Sequence, residues 1–179
     1  MNQHYDIALS FATEEQELVE KVYRYLKAEN ILVFFAPALE CQVVLSGKNQ
    51  REVFYEIFGL RADYVALFVS KNYIIKKVTM EEAGIAFAKR GSEGKVVPIY
   101  LDGTSLPIKL FKPENDNYYA SDDAAVIAAH LALKIKSTAG ETQKGVLPKQ
   151  VEHVMEVSGN QAEKIVSIQN VEGNVDLKL

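Results

Sequence analysis

"DYVALFVS", residues 63–70, decides how the rest of the chain is read. Between Asp63 and Ser70 every residue is apolar or aromatic, so a strand here is hydrophobic on both faces. A strand that meets water on one face alternates in polarity, whereas one that is apolar throughout is covered on both faces. "YDIALSFA" (5–12), "ILVFFA" (31–36) and "KVVPIYL" (95–101) share this character. Pro37 stops the second of these strands. Pro98 places the fourth near an edge or leaves it paired only in part. "DNYYAS" (116–121) reads as a short fifth strand.

Helical spacing fills the intervals. Residues 13–30 carry Leu18, Val22, Tyr25 and Leu26 at helical spacing. Thr13 and Gln16 fit a capping box at the start, and Asn30 suits the end. Residues 50–60 carry Val53, Ile57 and Leu60 on one face, and 122–136 form an alanine-rich amphipathic helix. "VTMEEAGIAFAKR" (78–90) becomes a helix from about Thr79, ended by Gly91, and Thr79 with Glu82 again fits a capping box. Residues 37–49 read as a loop with a turn at Ser46-Gly47. Alternating apolar strands and helices predict an α/β sandwich with a parallel sheet over residues 1–136. A polar linker follows at 137–150, then a β-prone extension at 151–179. In such sheets ligands bind beyond the carboxyl ends of the strands, which directs attention to the loops after Phe11, Phe35, Ser70 and Leu101.

Composition narrows the partners. The net charge of −4 argues against nucleic acid and against an acidic lipid surface. No apolar run approaches the roughly 20 residues of a membrane span. The opening residues lack the pattern of a signal peptide. One cysteine, Cys41, allows no intrachain disulfide, so a cytoplasmic setting is expected. His4, His130 and His153 have no ligand spacing, so no metal site and no cofactor are expected. "SGK" (46–48) lacks the frame of a phosphate-binding loop. Asp102-Gly103 is a turn, and Glu81 reads as a solvated helix charge.

"DIALSFA", "ILVFFAP", "SGKNQREVFYEIFGLRADYVALFVSKNY" and "VTMEEAGIAFAKR" together resemble a bacterial TIR (Toll/interleukin-1 receptor-like) domain over about residues 4–136. The resemblance implies a flavodoxin-like three-layer sandwich with a central parallel sheet. It also implies an NAD⁺ glycohydrolase or cyclase, with NAD⁺ as substrate, in bacterial antiphage immune signalling. The family's Trp-Ser/Thr-x-x-Glu pattern places its catalytic glutamate on Glu82 and its Ser/Thr on Thr79. The "SF" of the first strand places Ser10 and Phe11 beside the nicotinamide ribose. Segment 37–49 matches the loop used in self-association, and an upstream or downstream defence protein is an implied partner. The departures are Val78 at the Trp position, Glu15-Gln16 where an acidic-Arg pair is common, and Ser46 where an aromatic is common. The alternative implied is a TIR scaffold that assembles without turnover.

The chemistry needs only one carboxylate. Nicotinamide leaves NAD⁺ as a neutral base, so the general acid of an ordinary glycosidase is not required. A carboxylate beside the anomeric carbon steadies the oxocarbenium-like ribose. A helix N-terminus at Thr79 is expected to keep Glu82 ionised at neutral pH.

Overall fold

In a computed structural model, residues 3–107 and 119–141 are described, within a unit spanning Met1–Gly145. The sheet has the order β2-β1-β3-β4-β5, from strands β1 (Tyr5–Ser10), β2 (Val33–Phe34), β3 (Ala62–Val69), β4 (Val96–Tyr100) and β5 (Tyr119–Ala120). Every pairing is parallel. The helices are α1 (Gln16–Ala28), α2 (Leu39–Leu45), α3 (Gln50–Glu56), α4 (Lys71–Ile75), α5 (Lys77–Arg90) and α6 (Ala124–Glu141).

The apolar run of β3 is buried on both sides. Val65, Leu67 and Val69 pack with Val53, Ala83, Ala86 and Phe87 of α3 and α5. Tyr64, Ala66 and Phe68 pack with Val22 and Leu26 of α1 and Leu131 of α6. Three layers follow from the two-sided apolarity of the strands. Fully burying each large apolar side chain contributes about 1.5–3 kcal/mol.

Several expectations are corrected. Segment 37–49 contains α2, because Cys41 and Leu45, four residues apart, turn inward and are buried. The predicted Thr13–Gln16 capping box does not form. A 3-10 turn over Thr13–Glu15 precedes α1, and Ala12 at its N-cap position offers no side-chain bond. Val19, Val22 and Leu26 are the buried face of α1, and Tyr25 is half exposed. Leu60 is likewise exposed, because α3 widens into a π-type turn over Ile57–Arg61. There the chain runs close to α5: a Cβ on Gly59 would meet Ile85 Cγ2 at 3.2 Å. Asn30 does close α1, in the left-handed conformation at φ 60°. Pro98 fits its prediction in part. Among the described residues β5 pairs only with Ile99 and Tyr100, beyond the proline. α6 runs past Lys136 to Glu141, and the rest of the segments read as linker and β-prone extension lies outside the described residues.

Candidate active site

The strand order places β1 and β3 side by side, while the chain leaving β1 goes out to β2 and the chain leaving β3 goes out to β4. That reversal is where open parallel sheets hold ligands, beyond the carboxyl ends of the strands. Ser10 is the last residue of β1, and Ser70 follows the last of β3. The Ser70 hydroxyl accepts from the Tyr73 N–H at 3.1 Å, which caps α4 and turns the Tyr73 side chain into the fold. Lys76 alone separates α4 from α5, whose second turn carries Glu82.

Three groups from distant positions in sequence meet here. The Ser10 hydroxyl donates to Glu82 Oε2 at 2.5 Å and lies 2.7 Å from the Tyr73 hydroxyl. Ser10 has one proton, which goes to Glu82, so Tyr73 donates to Ser10. Ser10 is 1% exposed, Tyr73 0% and Glu82 7%. The relay Tyr73–Ser10–Glu82 therefore lies in a largely dry setting and presents the carboxylate at its outer end. Burial pushes the Glu82 carboxyl up to about 7, and the Ser10 hydrogen bond acts in the opposite direction. Burial also keeps Tyr73 a neutral phenol, well above its ordinary range.

Two expectations fail at this point. α5 begins at Lys77, so Thr79 is not an N-cap and Glu82 does not close a capping box. Instead the Thr79 hydroxyl lies 2.5 Å from the Tyr73 carbonyl and 2.9 Å from that of Lys76, which ties α4 to α5. Thr79 borders the cleft, but its hydroxyl is engaged with backbone. The expected ionisation of Glu82 by a helix end is also overturned. Glu82 sits a full turn inside the helix, and burial sets the balance.

Glu82 faces a cleft of about 480 Å³. Phe11, Phe54 and Phe58 supply aromatic walls, and Gln16, Lys76 and Val78 stand around it. Phe11 stacks on Phe35 at 5.4 Å, and Phe35 stacks on Tyr23 at 4.9 Å, so Phe35 supports the wall from within the core. Val78 is more than half exposed beside Glu82. Lys76 pairs with Glu14. Glu15 turns away and accepts from Ser70 Oγ at 2.7 Å and Asn72 Nδ2 at 3.0 Å, tying the start of α1 to the loop after β3. Asp102, in the turn after β4, accepts from the Lys71 N–H at 2.9 Å. Among the described residues no cluster of His, Cys, Asp and Glu has the arrangement of a metal site.

Of the residues the sequence singled out, Phe11, Thr79 and Glu82 line this cleft, whereas Ser10, expected beside the ribose, is buried behind it and bonded to Glu82. Tyr73 and Phe54 were missed. Tyr73 reaches Ser10 across 63 positions of sequence, and no local pattern marks such a contact.

The sequence profile described as the TIR domain matches residues 7–125. The chain is 37% identical over 105 residues to the 3′ cyclic ADP-D-ribose synthase AaTIR of Aquimarina amphilecti. That alignment covers 58% of this chain and 32% of the relative, so it spans about a third of the relative's length. The crystal structure of the TIR domain of the Toll-related receptor TRR-2 from Hydra magnipapillata superposes with a TM-score of 0.58. It is 15% identical and covers 74% of this chain and 98% of its own, a likeness of fold. With the profile spanning most of the chain and the parallel sandwich matching, the protein belongs to the TIR domain family.

Proposed function

We propose that this TIR domain cleaves the bond between nicotinamide and ribose in NAD⁺. The observation that carries the reading is a single buried carboxylate, Glu82, at the floor of an aromatic cleft at the topological switch point. Nicotinamide departs with the electron pair of the C1′–N bond and becomes neutral, while positive charge develops on the ribose. Glu82, held by Ser10, stabilises that charge in a partly dry site where its field is little screened. Where water or a hydroxyl is the acceptor, Glu82 then takes the proton that its oxygen releases on bonding to C1′. Water as acceptor gives ADP-ribose; an acceptor within the same substrate gives a cyclic product. The relative's name, a 3′ cyclic ADP-D-ribose synthase, supports the intramolecular acceptor.

The pH profile follows from the burial of Glu82. Its ionised form is the active one, and its folded-state pKa is raised to about 7. Nicotinamide release should therefore rise as pH climbs through about 7 and level off above it. An activity that is flat from pH 5 to 9 would remove Glu82 from the chemistry.

Leu39 and Val43, four residues apart on α2, are 80% and 71% exposed. An apolar pair on one helix face supports self-association of segment 37–49 with a second copy of the chain. Changing both to aspartate (Leu39→Asp with Val43→Asp) should reduce oligomer size in light scattering and lower nicotinamide release at limiting concentration. Fold stability should change by no more than about 0.5 kcal/mol per site. Unchanged scattering would show that this face makes no contact. A scaffold without turnover would instead assemble through α2 and leave NAD⁺ intact, so nicotinamide release separates the two readings.

The protein acts in antiphage immune signalling, with an upstream or downstream defence protein as partner, in a cytoplasmic setting. The buried free thiol of Cys41 agrees with a reducing compartment. No described helix is long and apolar enough to cross a membrane.

A further inference from the structure

We propose that the face formed by α1 and α6 is a two-fold contact between two copies of the chain, separate from the α2 surface. α6 exposes Val126, Ala129, Leu133 and Lys136, spaced three, four and three residues apart, so they form one stripe along the helix. Val126 is 52% exposed and Leu133 71%. The opposite side of α6 already serves the core, where Ile127 and Leu131 are buried with Val22 and Leu26 of α1. Beside the stripe a groove of about 410 Å³ runs between the two helices. Alanines of α6 line it, with Ala28 and the half-exposed Tyr25 of α1. A protruding leucine next to a groove of small side chains is a knob beside a hole. Two copies related by a two-fold axis satisfy both at once, because such a contact uses the same patch on each copy. Leu133 of each copy then enters the alanine-lined groove of the other.

Charge selects a second copy as the occupant and sets its direction. Asp122 and Asp123 stand at the start of α6 and give that end two negative charges. At the far end Lys134 and Lys136, less the Glu29 carboxylate that Lys136 meets at 2.7 Å, leave one positive charge. Glu17 and Lys21, on the neighbouring turns of α1, pair with each other and add nothing net. Crossing the two α6 helices antiparallel about Ala129 brings the acidic end of each copy to the basic end of its partner, twice over. A parallel crossing would set like charges together, at a cost. α1 and α6 cover one face of the sheet, whereas α2 packs with the core on the other. A chain with a contact on each face can join its dimers into larger assemblies.

The test is sedimentation velocity over a wide concentration range, on the full chain carrying Leu39→Asp with Val43→Asp so that α2 takes no part. This chain should still dimerise. Adding Leu133→Asp should raise the dimer dissociation constant at least about a hundredfold, since a leucine is lost from both halves of the contact. Its Tm should stay the same, because Leu133 is exposed in the single chain. Asp122→Lys and Lys136→Glu, made in separate chains, should each weaken the dimer. Mixed together they should form a mixed dimer a few-fold tighter than either variant forms alone, because each reversed charge then meets its opposite. A chain that stays monomeric throughout, or a Leu133→Asp chain that dimerises as before, would overturn the proposal. A monomer in which a Leu133→Cys thiol is slow to react would assign the face to a cover from its own chain, and would overturn it too. A mixed dimer no tighter than the two separate ones would overturn the antiparallel crossing.

Discussion

Glu82→Gln should abolish nicotinamide release, by about a thousandfold or more, and at the same time stabilise the fold at alkaline pH. Glutamine keeps the shape and can still accept the Ser10 hydrogen bond, but it carries no charge for the oxocarbenium-like ribose and no base for the acceptor's proton. Losing one preorganised electrostatic group typically costs ~10²–10³ in turnover, and here that group is also the base. The stability effect has the opposite sign. An acid whose folded pKa lies above its unfolded value of 4.5 favours the folded state fully below that value. The advantage is lost as pH rises through about 7, where the buried group must ionise. The shift corresponds to at most about 3 kcal/mol at high pH, which glutamine avoids. The variant's Tm should exceed the parent's by about 5–10 °C at pH 9, and the difference should close near pH 4.5. Retained turnover would return Glu82 to a structural role, and a Tm difference independent of pH would contradict its burial as a titrating acid.

Ser10→Ala is expected to give the second-largest effect, acting on fold and activity together. It removes the atom that links Tyr73 to Glu82, and both partners are buried. Each buried polar group left without its partner costs about 1–3 kcal/mol. Because the Ser10 bond lowers the Glu82 pKa, its loss should move the activity midpoint to higher pH. Activity near pH 7 should fall and recover in part at pH 9. Tyr73→Phe removes only the inner donor and leaves the Ser10–Glu82 bond, so its midpoint should move less. A Tyr73→Phe profile shifted as far as that of Ser10→Ala would mean that Tyr73 touches the carboxylate by a path other than Ser10.

The sandwich was legible because its strands are apolar on both faces, a pattern that burial on both sides requires. The spacing between "FVSKNY" and Glu82 was legible through the family resemblance, since it lies within one strand-to-helix connection. The start of α5 was misread because a local Thr-x-x-Glu pattern looks like a cap. The Thr79 hydroxyl found the carbonyls left by α4 instead, and the nearness of α4 depends on Tyr73 being buried. α2 was hidden by its loop-like neighbours, Pro37 and Ser46-Gly47, although Cys41 and Leu45 carry its inward spacing. The Tyr73–Ser10 bond joins residues far apart in sequence, so periodicity holds no trace of it.

The most direct test of the central claim is a time course of free nicotinamide from NAD⁺ at high protein concentration and pH 8, with ribose-containing products separated in the same samples. The account predicts many equivalents of nicotinamide per chain, matched by ADP-ribose or a cyclic isomer of it, with no release by Glu82→Gln. NAD⁺ that stays intact while light scattering shows the protein assembled would contradict the account and leave the scaffold reading in its place.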